Sequence, residues 1–309
     1  KFSGGEKVGN ALLSGTQARK LPQIDKEKEQ DEYLAIVAVF EEFIERVRNG
    51  LEPDEAFEEL VALRAEFGIR HAVKGFGMDW EEALELVRSK DDLSEAERNR
   101  RDILVAAIDN IVDFAAAEEY QMVSKLPDLE DFDDEGDEED SDGDFGEYED
   151  EDEYLEALLA ICAKYNKRYA RVENLDIEYA MIVAAALAKH SASTMLMYMT
   201  MGDERVRPWH LQYEGYTAPK SSFPAWLIPP IEHACRCYLV EDTDAASASK
   251  VSAMKEPTMP EWFDRTFKES VALGGRIFSD EHPYFQIDKA HIDRLKAISL
   301  KIKNKYFNG

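Results

Sequence analysis

Between Asp203 and Cys237 the chain reads DERVRPWHLQYEGYTAPKSSFPAWLIPPIEHACRC. This stretch limits the fold more than any other. It has no helical apolar period, and its prolines remove backbone donors and fix φ, so neither a helix nor a central strand can run through it. It must form turns and short extended pieces. Thr200-Met201-Gly202-Asp203 breaks whatever precedes it, Tyr213-Glu214-Gly215-Tyr216 fits a hairpin turn, and Cys235 to Val240 alternates as a strand does.

The rest of the chain carries helical patterns. Apolar residues recur from Lys28 until Asn49-Gly50 stops them. A second helix follows Pro53 and ends at Gly68; a third starts at Asp79, whose Asp-x-x-Glu spacing suits a capping box. Ser94 and Glu97 repeat that device before a long helix reaching about Ser124. Helix resumes at Tyr154 and runs to about Val172, with Cys162 on its apolar face. Asp176 is expected to cap a further helix from Ile177 to near Thr200, apolar almost all round and therefore buried. After the proline-rich stretch, PTMPEWFDRTFKES suggests a short helix, GGRIFSDEHPYF a turn and brief extended run, and Ile287 to about Phe307 a last helix. His71 reads as an isolated surface or loop histidine, and His190 as a packed or capping residue.

The resulting expectation is an α+β, predominantly α-helical chain. An extended arm (1–27) precedes a helical domain (28–125), an acidic linker (126–153) and a C-terminal α+β domain (154–309). The net charge of −28 is uneven: 18 acidic residues and no Lys or Arg fall between Asp128 and Glu153, leaving about −10 for the remainder. Low hydropathy and adjoining like charges make that tract a solvated linker. Two sharper readings compete. Asp131, Asp133, Glu135, Gly136, Asp137 and Asp142 approach a calcium-loop spacing, with Asp142 where a Glu belongs. Alternatively the tract mimics nucleic-acid phosphates and inhibits a basic partner. A mildly acidic body argues against a broad nucleic-acid footprint. Three cysteines cannot form a disulfide framework, and no apolar run is long enough for a bilayer.

Asp203, Glu204, Arg205, Arg207 and His210 crowd into eight residues. One reading is an ion-pair network fixing irregular backbone, with no cofactor. Another is a zinc site: His210, Cys235 and Cys237 supply three nitrogen or sulfur donors, with His233, Asp203 or Glu232 as the fourth. A zinc-dependent hydrolase or nuclease using the same three residues is the enzymatic alternative. A catalytic Cys–His pair would also need a positioned base and an oxyanion hole, which nothing specifies.

Asp203, Arg205, Val206, Arg207, Pro208 and His210, followed by Gly215, Pro219, Trp226, Pro229, Pro230, Glu232, Cys235, Arg236 and Cys237, resemble the signature of the phage Mu F-like family of head morphogenesis (minor head) proteins. The resemblance covers roughly residues 175–240; the first 150 residues match no family. It implies a non-enzymatic virion protein of a tailed phage, lying inside the head. Its partners would be the portal or major capsid protein, with packaged DNA nearby but not specifically bound, and it would act in head assembly, DNA packaging or ejection. Relatives that carry toxin or ADP-ribosyltransferase modules keep an effector role as an alternative, although no such module is visible here. Some relatives have Cys-Pro-x-Cys where this chain has Arg207 to His210, and His where it has Glu232. An Arg207–Glu232 ion pair in place of a metal is therefore a competing expectation.

Overall fold

The structure, a computed structural model, describes residues 22–23, 25–127, 151–242 and 257–308. The calcium-loop residues, most of the acidic linker and most of the N-terminal arm lie outside these residues. Within them the chain is predominantly α-helical with one small antiparallel sheet, an α+β fold.

Helix α1 (Lys26–Arg48) begins where Asp25 accepts the Lys28 N–H, at 3.2 Å, and ends at Asn49, followed by Gly50 at φ +62°. Helix α2 (Asp54–Phe76) runs through Gly68, where the sequence pattern predicts its end, and stops only at Gly77, at φ +75°. The internal glycines serve close packing instead. A Cβ on Gly75 would sit 2.2 Å from the Glu178 carbonyl oxygen, and one on Gly68 2.7 Å from Ile111. Helix α3 (Trp80–Arg88) is capped by Asp79, and α4 (Glu95–Val123) by the expected Ser94/Glu97 capping box.

Helices α5 (Glu151–Ala163) and α6 (Ala170–Leu187) form one continuous rod, joined by a π-helical turn at Lys164–Tyr169. Asp176 therefore lies inside a helix and does not cap one. The rod also stops earlier than Thr200. The Lys220 ammonium donates to the carbonyls of Leu187 (2.6 Å) and His190 (2.9 Å), closing the helix end. Beyond it, Ser191 bonds Ser193 and Thr194, and Met195–Met199 becomes strand β1, alternately half-buried and buried. The helical apolar run thus ends in a period of two, which a short window does not separate from 3.6.

Strand β1 is central, between β2 (Thr217–Pro219) and β3 (Tyr238–Glu241). Met195 lies opposite Pro219, and Met199 opposite Tyr238. The turn expected at 213–216 forms, with the Tyr216 N–H donating to the Tyr213 carbonyl at 3.0 Å. It follows a 3₁₀ turn (Leu211–Tyr213) instead of a strand. Trp262 and Phe263 lie in a turn before a 3₁₀ segment and not on a helix. Nor does the predicted extended run near 276–285 pair as a strand: Asn110 on α4 accepts the Ile277 and Phe278 N–H groups (2.9 Å each) and donates to the Phe278 carbonyl.

Helix α7 (Lys289–Phe307) buries Leu295, Ile298 and Ile302 against α3 and α4. Lys303 bridges Asp109 (2.7 Å) and Asp113 (2.8 Å), and Arg88 donates to the carbonyls of Lys305 and Tyr306. One hydrophobic core runs from α1 through α6 into the sheet and α7.

Candidate functional site

The loop entering the site leaves β1 through Gly202, at φ +65°. Asp203 then accepts the Arg205 N–H at 3.1 Å and takes both Arg236 amino groups, each at 2.7 Å. This fork holds the Asp203 carboxyl below its usual range. Arg205 itself is exposed, as is Pro208. Arg207 places Nε 2.8 Å from Glu232 Oε1 and donates to the His233 carbonyl at 2.7 Å, so the expected ion pair forms.

His210 is 2% exposed. Its Nδ1 lies 3.0 Å from Cys237 Sγ and 4.0 Å from Cys235 Sγ, while Nε2 faces Glu232 Oε2 at 3.2 Å. Both cysteines are free thiols and buried. Burial pushes Cys235 well up. Cys237 is held down, chiefly by its hydrogen bond with Cys235, against burial, with help from Tyr198 and the charges of Arg207 and Arg236. Of the candidate fourth donors, Asp203 is taken by Arg236 and His233 by Asp176, at 2.8 Å; Glu232 alone touches the cluster.

Aromatic packing encloses this group. The Trp209 ring lies edge-on to His210 and Trp262, and buried Trp226 packs against Tyr213 and Phe263, 5.3 Å from each. Gly215, at φ +81°, donates its N–H to the Tyr198 carbonyl at 2.8 Å, tying the loop to β1. Asp176, buried in the middle of α6, accepts from the Ala234 N–H (2.8 Å) and pairs with His233, fixing the segment before Cys235, where Ala234 has φ +55°. Burial raises the Asp176 pKa. Burial opposes charge on His233, but the Asp176 hydrogen bond, the Asp176 charge and the charges of Glu173 and Asp264 together outweigh it and raise that pKa too.

A second polar cluster escaped sequence reasoning. Arg64 on α2 is 2% exposed, with Nε 2.7 Å from Glu118, one amino group 3.0 Å from Glu173 and the other donating to Asn174. Glu119 lies beside it, bonded by Asn166 of the π turn at 3.4 Å. Burial pushes Glu119 up to about 8, partly offset by Arg64. The available signal was Arg64 itself, on the stripe of Leu60, Val61 and Gly68. His71, read as an isolated surface residue, instead faces Glu178 at 3.1 Å and is half-buried.

No protein-family model matches the chain, and neither a curated protein nor a solved structure matches it. Among the described residues no helix is long and apolar enough to cross a membrane.

Proposed function

We propose that the protein is a non-enzymatic minor head protein of a tailed phage, of the Mu F-like type, docking on portal or capsid protein inside the head. One observation carries this reading. The two blocks of the signature, distant in sequence, meet pair by pair: Asp203 with Arg236, Arg207 with Glu232, His210 with Cys237. A chance string of matching letters has no reason to close on itself, whereas a folded family signature does. The pairs also favour a structural role over catalysis, because His210, Cys235 and Cys237 are buried at 2%, 3% and 3% exposure, away from any solvent-borne substrate.

The test is co-expression of the full chain with the portal protein of the same phage, followed by size-exclusion chromatography and quantitative mass spectrometry of purified heads. A stable complex and a few copies per particle are expected. A protein that makes no complex and is missing from purified heads would overturn the reading.

A further inference from the structure

We propose that His210, Cys235 and Cys237 bind one zinc ion that braces the fold, with Glu232 and Arg207 as its supporting partners. The three donor atoms come from two separate loops, yet all lie within 4.8 Å of one another. Two thiols and an imidazole are the donor set of zinc, not of calcium or magnesium.

The orientation of His210 adds detail that sequence spacing lacks. Its Nδ1 faces both sulfurs and its Nε2 faces Glu232. A metal-bound histidine commonly donates its remote N–H to a carboxylate, which fixes the tautomer and leaves the other nitrogen's lone pair for the metal. Glu232 is placed to accept that proton, and Arg207 holds it there at 2.8 Å. The Arg207–Glu232 pair thus acts as the metal's outer support and does not replace it.

Tyr198 supplies an independent observation. It is 0% exposed, and the group its hydroxyl faces is the Cys237 sulfur. A buried hydroxyl needs a good acceptor, and a metal-bound thiolate is a stronger one than a neutral thiol. Binding takes the two thiols to thiolates, releasing two protons to solvent, and the resulting dianion neutralises the zinc dication. The ion then ties the loop of His210 to the segment entering β3, at the base of the sheet.

The experiment uses the full chain alone, so it succeeds or fails independently of the virion reading. Protein purified under reducing conditions is expected to carry one zinc per chain by elemental mass spectrometry. Cobalt exchange should give thiolate-to-metal charge-transfer absorption and the intense visible bands of a tetrahedral site. Cys237→Ser and His210→Ala should lose stoichiometric zinc. Glu232→Gln should keep the stoichiometry at saturating zinc but weaken affinity about 10–100-fold, as loss of an outer carboxylate does. Should a variant not fold, the wild-type chain decides alone: chelation should lower its melting temperature and added zinc restore it. A chain that purifies without metal and gives no cobalt charge-transfer band overturns the proposal. So does wild-type-like zinc binding by the folded Cys235→Ser and Cys237→Ser variants.

Discussion

Two charged clusters sit in this molecule, and they are stabilised in opposite ways. In the knot around residues 203–237 three acids have a cation each: Asp203 has Arg236, Glu232 has Arg207, Asp176 has His233. In the helical layer one arginine, Arg64, serves three carboxyls, Glu118, Glu119 and Glu173, all buried. The knot is balanced by charge. The helical cluster is in surplus, and it is balanced by protons, which is why burial raises Glu118 and Glu119. The supply of cations, not depth alone, decides between the two solutions: Asp176 is as buried as Arg64 and still pairs with His233. Near the surface an ion pair costs little to desolvate and can shape a loop; in a dry core a second carboxylate is cheaper to hold neutral than to ionise.

The largest test of the contrast is Arg64→Met. Removing the only cation leaves buried carboxyls facing one another, and the loss should be about 3–5 kcal/mol by urea denaturation. Glu119→Gln comes next and has the opposite sign. The folded pKa of Glu119, about 8, lies above the unfolded 4.5. Between those values the unfolded chain loses this proton and the folded chain keeps it, so stability falls as pH rises from about 4.5 to 8. The glutamine variant should remove the Glu119 share of that slope, leaving the share of Glu118, and gain on the order of 2–4 kcal/mol at pH 8, measured as unfolding free energy against pH. Within the knot, Asp176→Ala removes the buried acceptor for Ala234 and His233. It should cost about 1–3 kcal/mol and speed amide exchange at Ala234. Asp203→Asn is last. Its carboxylate is exposed, so the melting temperature should barely move, and any change should vanish in high salt.

The parts of the fold written in local pattern were legible. Caps at Ser94 and Asp79, the stop at Asn49-Gly50 and the final helix all follow from residues within one turn of each other. Misreadings arose where a distant partner decides the local outcome. Gly68 and Gly75 look like helix breakers until α6 and Ile111 are brought against them. The end of α6 depends on Lys220, more than thirty residues on, and the course of 276–278 on Asn110, far earlier in the chain. In the site, residue types and the Arg207–Glu232 pair were legible from the chemistry of the residues between Asp203 and Cys237. The pinning by Asp176 was not, because a carboxylate ahead of an apolar run is equally a helix cap. The approach of the buried Tyr198 hydroxyl to Cys237 exists only in three dimensions.

Helix α7 has a consequence for how the chain acquires this structure. Its partners are α3 and α4, and Arg88 reaches Tyr306 across 218 positions. Arg294 meets Asp54 across 240. Contacts that far apart give the helical layer an unusually non-local topology, although helices alone are made by local bonds. Nascent α3 and α4 must therefore wait with an open apolar flank while more than 150 further residues are synthesised. During that interval the flank of α4 that carries Asp109 and Asp113 is open to chaperones or to a neighbouring copy.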